Sequence, residues 1–235
     1  MSFNYNANDI VLLSGDPIIF KSEEKHKEFK MMQPTLKQIY TNNDLLFLIA
    51  FLDKDLEEIK KWISFNVESH YDFIHLISSL SNVNEDFKKL SKDLLNGLKV
   101  ILPNIEFDKV LRLKDIVITR KLFEQIVLVF YKTMKKEKII INEDDDAFTK
   151  KQKEMKLRTQ RIKNQNGKKD GNDLNDIITA VLYEFPQYKI IEILEMNLYT
   201  VYFLFGIVGK IANYEVSKIA AGNGLTKKHK YLIEK

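Results

Sequence analysis

The chain has 235 residues, of which 45% are hydrophobic and 30% are charged, and its formal net charge is +4. This length and apolar content can supply a substantial core for one or two domains, and the mixed-sign charge argues against a general nucleic-acid-binding protein. The sequence contains no cysteine, which excludes disulfides, thiolate nucleophiles and cysteine metal sites and fits a reducing cytoplasm. The N-terminal residues MSFNYNANDIVLL show no basic region before a long apolar segment, so neither a signal peptide nor a membrane anchor is predicted.

The N-terminal part of the chain combines strand and helix patterns. Two apolar runs, 10–14 and 18–20, flank Gly15-Asp16-Pro17, which predicts a short hairpin or a pair of strand fragments. Residues 29–32 favour a further strand. The following Gln33-Pro34-Thr35 is expected to begin a helix, because proline is tolerated in a first helical turn. This end of the chain is therefore predicted to be mixed α/β.

The next segment is predicted to be helical throughout. Asn43 or Asp44 is expected to cap a helix whose first part, 45–52, carries no charge. The sequence then becomes amphipathic. Three of its side chains are expected to face inward, namely Ile59, Trp62 and Phe65.

More helices and a hairpin complete the predicted first domain. A helix is predicted for 71–80, and Asn82 followed by Glu85 resembles the capping box of another. Thr119 is expected to cap a strongly amphipathic helix, after which the domain ends near Ile141. Between these helices the apolar residues predict a second small hairpin, built from Ile105, Phe107, Val110, Leu111 and Leu113.

The composition changes after residue 141. An acidic cluster at 143–146 precedes a lysine-, arginine-, asparagine- and glutamine-rich segment with few large apolar residues, which predicts a flexible linker. Its basic side chains could contact phosphates, but no aromatic residue is interleaved for base stacking, so a solvated linker is favoured over a nucleic-acid site. The predicted organisation is a mixed helical domain at 1–141, a linker at 142–172 and a helical module at 173–235.

The C-terminal module is predicted to contain a helix, a turn, a short helix and a long helix. Asn172 or Asp173 can cap the first helix, and Pro186 ends it. Met196-Asn197 forms a joint at which one helix ends and the next is capped. The run 198–208 has no charge and is apolar on all sides, as expected of a helix that is buried or bound. The run is too short for a bilayer, which needs about 20 apolar residues. A buried core helix is therefore favoured, although a small module cannot easily cover every face of such a helix, which leaves some rings to meet a partner.

No residue pattern indicates catalysis or metal binding. The four histidines are scattered, and His70 and His75 lack the spacing that places two ligands on one helical face. The sequence has no phosphate-binding glycine loop, dinucleotide fingerprint or nucleophile elbow. The acidic run 143–146 lacks the spaced ligands and glycine of a calcium loop. We therefore expect no enzymatic activity, no catalytic or metal-binding residues, no cofactor and no small-molecule substrate.

Five segments of the sequence carry a family resemblance. Near the N-terminus they are LSGDPIIF and QPTLKQI, and in the middle LKDIVITRKLFEQI. Near the C-terminus they are DIITAVLYEFPQYKIIEILEMNLYTVYFLFGIV and KIAAGNGLTKKHK. Together they resemble segments of the tail assembly chaperones and related tail proteins of long-tailed bacteriophages and prophages. The longest of these resembles a recurring family segment in which a helix, a proline-containing turn and a new helix start follow one another. None of these motifs is a catalytic signature.

The resemblance implies a chaperone in the host cytoplasm that coats the helical tape-measure protein and recruits tail-tube subunits, often through a C-terminal extension made by frameshifting. The asparagine- and lysine-rich linker departs from the family pattern. Self-association stays open. The alternatives are a structural tail or baseplate component retained in the virion and, less favoured, a nucleic-acid-binding accessory protein.

The predicted fold is α+β and predominantly α-helical, with small β-hairpin elements in the N-terminal domain and a helical C-terminal module. Partner binding is expected at the uncharged helix of the first domain and at the aromatic helix of the C-terminal module. The candidate residues are Leu45, Leu46, Phe47, Tyr199, Tyr202 and Phe203.

Overall fold

A computed structural model describes residues 3–22, 27–54, 56–61, 65–134, 146, 149–152 and 174–222, with side chains as far as residue 219. The chain is an α+β protein in which helices predominate and the strands form two small antiparallel sheets, which confirms the predicted fold class. The strands are β1 (Phe3–Tyr5), β2 (Ile18–Ser22), β3 (Glu28–Met31), β4 (Ile105–Asp108), β5 (Val110–Leu113) and β6 (Ile116–Val117). The helices are α1 (Asp9–Ser14), α2 (Leu36–Thr41), α3 (Asn43–Asp53), α4 (Leu56–Lys60), α5 (His70–Ser79), α6 (Glu85–Ile101), α7 (Arg120–Thr133), α8 (Leu174–Glu184), α9 (Ile190–Glu195) and α10 (Leu198–Gly222).

The chain divides into two compact units. The N-terminal unit comprises Met1–Lys135 together with Leu194–Thr200, and the other unit comprises Lys136–Ile193 and Val201–Lys235. Leu194–Thr200 belongs to the N-terminal unit although more than fifty residues of the sequence separate it from the rest of that unit. We call it the clasp segment. The predicted boundaries at 141 and 172 fall outside the described residues, so the three-part division stays a prediction.

The first sheet has the strand order β1-β2-β3, with both pairs antiparallel. Its buried face is aromatic: the ring of Phe20 stacks on that of Phe29 with centroids 4.7 Å apart, and Phe3 meets Phe29 edge-on at 5.5 Å. Ile18 and Phe20 are both fully buried, as alternation along β2 requires. The strands expected at 18–20 and 29–32 are confirmed as β2 and β3, but β2 pairs with β1 and β3, so the hairpin predicted around Gly15-Asp16-Pro17 is not formed.

The expectation of a strand at residues 10–14 is wrong, because this run lies in helix α1. The side chain of Asn8 caps the helix by accepting a hydrogen bond from the Val11 amide at 3.0 Å. Gly15 ends it in the left-handed conformation with φ 76°. A short continuous apolar run fits a buried strand and one side of a short helix equally well, so periodicity alone does not distinguish them.

Two predicted helix caps are displaced by one or two residues. Asn42, rather than Asn43 or Asp44, begins α3, because its side chain accepts a hydrogen bond from an amide of the first turn. Asn84, rather than Asn82, does the same for α6. Both helices start among several adjacent residues that are able to cap. The observed cap is the residue whose oxygen reaches a free first-turn amide.

The second sheet confirms the second predicted hairpin. Strands β4, β5 and β6 pair in that order, with Ile105 opposite Leu113. Leu111 is also buried, so the hairpin has one apolar face. Thr119 caps α7 as predicted, with its hydroxyl accepting a hydrogen bond from the Leu122 amide.

Helices α3 and α6 approach closely in the N-terminal unit. Gly97 of α6 makes this approach possible: a Cβ at this position would lie 2.5 Å from the Asp44 carbonyl oxygen and 2.8 Å from the Leu48 Cβ. The prediction that Ile59 faces inward is confirmed, since it is fully buried. Phe65 was expected there too but is 49% exposed, and Trp62 lies outside the described residues.

The C-terminal helices follow the predicted order. Helix α8 ends at Glu184, ahead of Pro186, and two residues separate the end of α9 from the start of α10. The predicted caps of α8, Asn172 and Asp173, lie outside the described residues. The joint predicted at Met196-Asn197 is confirmed, and it lies within the clasp segment.

Candidate functional site

Helix α1 has only six residues, and its last carbonyl groups have no backbone amide four residues further along the helix to pair with, although the Ser14 hydroxyl donates to the Val11 carbonyl at 3.1 Å. Distant side chains donate hydrogen bonds to three of these carbonyls: Gln33 Nε2 to Val11 (2.8 Å), Asn197 Nδ2 to Leu12 (2.7 Å) and Thr200 Oγ1 to Leu13 (2.8 Å). Two of the three donors belong to the clasp segment. The C-terminal end of α1 is therefore a docking point for that segment.

Asn197 is the central residue of the clasp segment and is 5% exposed. While its Nδ2 donates to the Leu12 carbonyl, its Oδ1 accepts a hydrogen bond from the Thr200 amide at 2.8 Å and so caps α10. Gly15 permits the close approach, because a Cβ there would lie 3.2 Å from Asn197 Nδ2. One side chain thus holds the clasp segment and starts the longest helix of the described residues.

The backbone of the clasp segment is also held. The amide of Leu36 donates to the Met196 carbonyl at 2.9 Å, and Thr35 forms an isolated antiparallel bridge with Asn197. Leu36 is the first residue of α2, so its amide has no acceptor within that helix. The clasp segment therefore supplies a partner to the N-terminal end of α2 as well as to the C-terminal end of α1.

The rim of this site carries two charged contacts. The hydroxyl of Tyr199 donates to Asp9 Oδ1 at 2.8 Å, and burial together with this carboxylate raises the pKa of Tyr199 above its ordinary value. Lys37 and Glu195 form an ion pair at 2.7 Å. Both of these side chains are more than half exposed, so the ion pair contributes little to stability.

Helix α10 places three of the predicted partner-binding residues on one side. Tyr199, Tyr202 and Phe203 are related by spacings of three and four residues, which bring side chains to the same helical face. Tyr199 is engaged with Asp9, Tyr202 is half-buried and Phe203 is 39% exposed. Their partner-binding role stays a prediction.

The other three candidates lie on α3, and the structure separates them. Leu45 is fully buried, Leu46 is 41% exposed and Phe47 is half-buried. In this conformation Leu46 and Phe47 offer surface to a partner, whereas Leu45 is part of the core. The binding role of the three residues is not otherwise tested by the structure.

The sequence favours a buried core helix for the uncharged run of α10, but within residues 198–208 only Leu198 and Val201 are buried, and the other residues are half-buried or exposed. From residue 201 to residue 219, Val201 is buried and the other side chains are half-buried or exposed. Val216 and Ile219 are 66% and 62% exposed, although both are large and apolar. Neither residue is among the predicted partner-binding residues, although the apolar spacing along the helix continues through both.

Gly206 and Gly209 lie on an open part of α10. A Cβ added at either position would meet no atom within 4 Å. These glycines lie at helical spacing from Tyr202 and share its side of the helix. Tyr202, Gly206 and Gly209 therefore form a narrow strip along the helix, which we call the open strip, with one large ring and two positions that have no side chain.

The other described residues form no metal-binding cluster. Among the described residues there is no group of three histidine, aspartate or glutamate side chains placed to hold a metal ion, and no helix there is long and apolar enough to cross a membrane. The Tyr131 hydroxyl donates to Asp53 Oδ1 at 2.8 Å, and burial, with the carboxylate, raises the pKa of Tyr131. Comparison of the chain with protein-family models, with curated proteins and with solved structures finds no match.

Proposed function

We propose that the chain is a non-enzymatic binding protein whose helix α10 engages a helical partner. The observation that supports this proposal is the exposure of large apolar side chains along α10, including Phe203, Val216 and Ile219. Apolar surface of this kind costs free energy in water, and its burial is the main driving force of protein association. A helix with apolar residues at three- and four-residue spacing is suited to packing against another helix.

We further propose that the partner is a phage tape-measure protein, and that the chain acts as a tail assembly chaperone in the host cytoplasm and recruits tail-tube subunits. This finer proposal is supported by the sequence resemblance, whose longest segment includes EMNLYTVYFLFGIV. That segment spans most of the clasp segment and the first part of α10, which includes the exposed Phe203. A tape-measure protein is a long helix, as the proposed surface requires.

The first experiment is co-expression of the full chain with the tape-measure and tail-tube proteins of the same source. The chain is purified by an affinity tag, and the retained proteins are identified by mass spectrometry. A chaperone should retain the tape-measure protein in lysates and be absent from finished particles. Detection of the chain in purified particles would instead support a structural tail or baseplate component, and failure to retain either tail protein would contradict the tail assembly role.

The open strip of α10 allows a sharper test. The double variant Gly206→Ala, Gly209→Ala introduces two methyl groups where the free chain has room, and it should stabilise the helix by about 1 kcal/mol per position. A partner backbone that packs closely over the glycines would meet those methyl groups. We therefore expect a higher melting temperature together with weaker capture of the tape-measure protein.

Two single variants complete this test. Tyr202→Ala removes the ring on the same strip and should weaken capture while the chain stays folded. Tyr183→Ala is the matched control, because Tyr183 is 86% exposed on α8 and lies outside the strip. Unchanged capture by both the glycine variant and Tyr202→Ala would place the binding surface elsewhere on the chain.

A further inference from the structure

We draw no further inference here: the strongest candidate, the exposed apolar surface patch of Val216 and Ile219 on the C-terminal part of helix α10, carries nothing beyond the proposed function, because nothing in the described residues shows what covers it.

Discussion

Replacing Asn197 by alanine should release the clasp segment from the rest of the N-terminal unit. The substitution leaves the carbonyl of Leu12 and the amide of Thr200 without these partners, and it also removes the longer contact of Asn197 Nδ2 with Gln33 Oε1 at 3.5 Å. A buried polar group that loses its partner costs about 1–3 kcal/mol, and an N-cap replaced by alanine costs about 1 kcal/mol. With the clasp segment still docked, the variant would therefore be destabilised by about 2–4 kcal/mol.

The remaining contacts decide whether the clasp segment stays docked. Besides the Asn197 bonds, it is held by the hydrogen bonds of Leu36 to Met196, Thr200 to Leu13 and Tyr199 to Asp9. Each such bond contributes a net of about 0.5–1.5 kcal/mol. Their sum is comparable to the cost of leaving the two groups unpaired. We therefore expect undocking in a substantial fraction of molecules rather than loss of the whole fold.

Amide hydrogen exchange measures this opening directly. In Asn197→Ala the Leu36 amide, which donates to Met196, should exchange at least tenfold faster. The Phe123 amide, which donates to Thr119 in α7 of the same unit, should keep its rate. Urea unfolding followed by circular dichroism measures the accompanying change in the free energy of unfolding.

Asn197→Asp separates the two roles of the side chain. A carboxylate oxygen can still accept the Thr200 amide, so the start of α10 should be retained, but the donor to the Leu12 carbonyl is replaced by an acceptor. Leu36 should therefore exchange as rapidly as in the alanine variant. An unchanged Leu36 exchange rate in Asn197→Ala, with a stability change below about 0.5 kcal/mol, would refute the assignment of Asn197 as the residue that holds the clasp segment.

Two further variants probe the core of the N-terminal unit. Gly97→Ala places a methyl group 2.5 Å from the Asp44 carbonyl oxygen and 2.8 Å from the Leu48 Cβ. It should lower the free energy of unfolding by about 1–3 kcal/mol in urea titrations, and no loss would show that α3 and α6 can separate freely. For Tyr131, the folded state raises the pKa above its ordinary value of 10.0, so the stability it contributes is present below about pH 10 and falls as pH rises further. Tyr131→Phe removes the hydroxyl that donates to Asp53 and should flatten the decline of the unfolding free energy between about pH 9 and 11, and an unchanged slope would contradict the assigned shift.

Much of the secondary structure could be predicted because its determinants are local. The hairpin of β4 and β5 alternates apolar and polar residues over a few positions, and Thr119 stands immediately before an amphipathic run. Both patterns are complete within one element, so no distant contact is needed to recognise them. The caps at Asn42 and Asn84 are shifted for the same local reason, because neighbouring residues compete to cap the same helix.

Residues 10–14 show where local pattern fails. The segment has the composition of a strand, yet it forms a helix too short to satisfy its own carbonyl groups. Its stability depends on Gln33, Asn197 and Thr200, which donate to those carbonyls from elsewhere in the chain. No window around residue 10 contains these donors, so the helix could not be predicted from its own sequence.

In the candidate site, too, features set by local sequence could be predicted and features set by distant contacts could not. The capping role of Asn197 could be predicted, since a polar residue interrupts two apolar runs, but its bond to Leu12 spans most of the chain. Phe65 was expected to face inward because the helical spacing was extended as far as this residue. Helix α4 ends at Lys60, so that spacing does not apply to Phe65, which is exposed. Burial of Leu45 beside the exposed Leu46 is likewise a tertiary outcome, because an uncharged helix has no polar side to mark its orientation.

The clasp segment bears on partner binding through the order it gives to α10. Nucleation is the unfavourable step of helix formation, and Asn197 and Thr200 fix the first turn of α10 by bonds to the N-terminal unit. A partner that binds further along this helix then need not supply the ordering free energy, which otherwise weakens association. Asn197→Ala should therefore reduce capture of the tape-measure protein although Asn197 is buried and lies outside the binding surface. Undiminished capture together with accelerated exchange at Leu36 would show that anchoring of the helix and partner binding are independent.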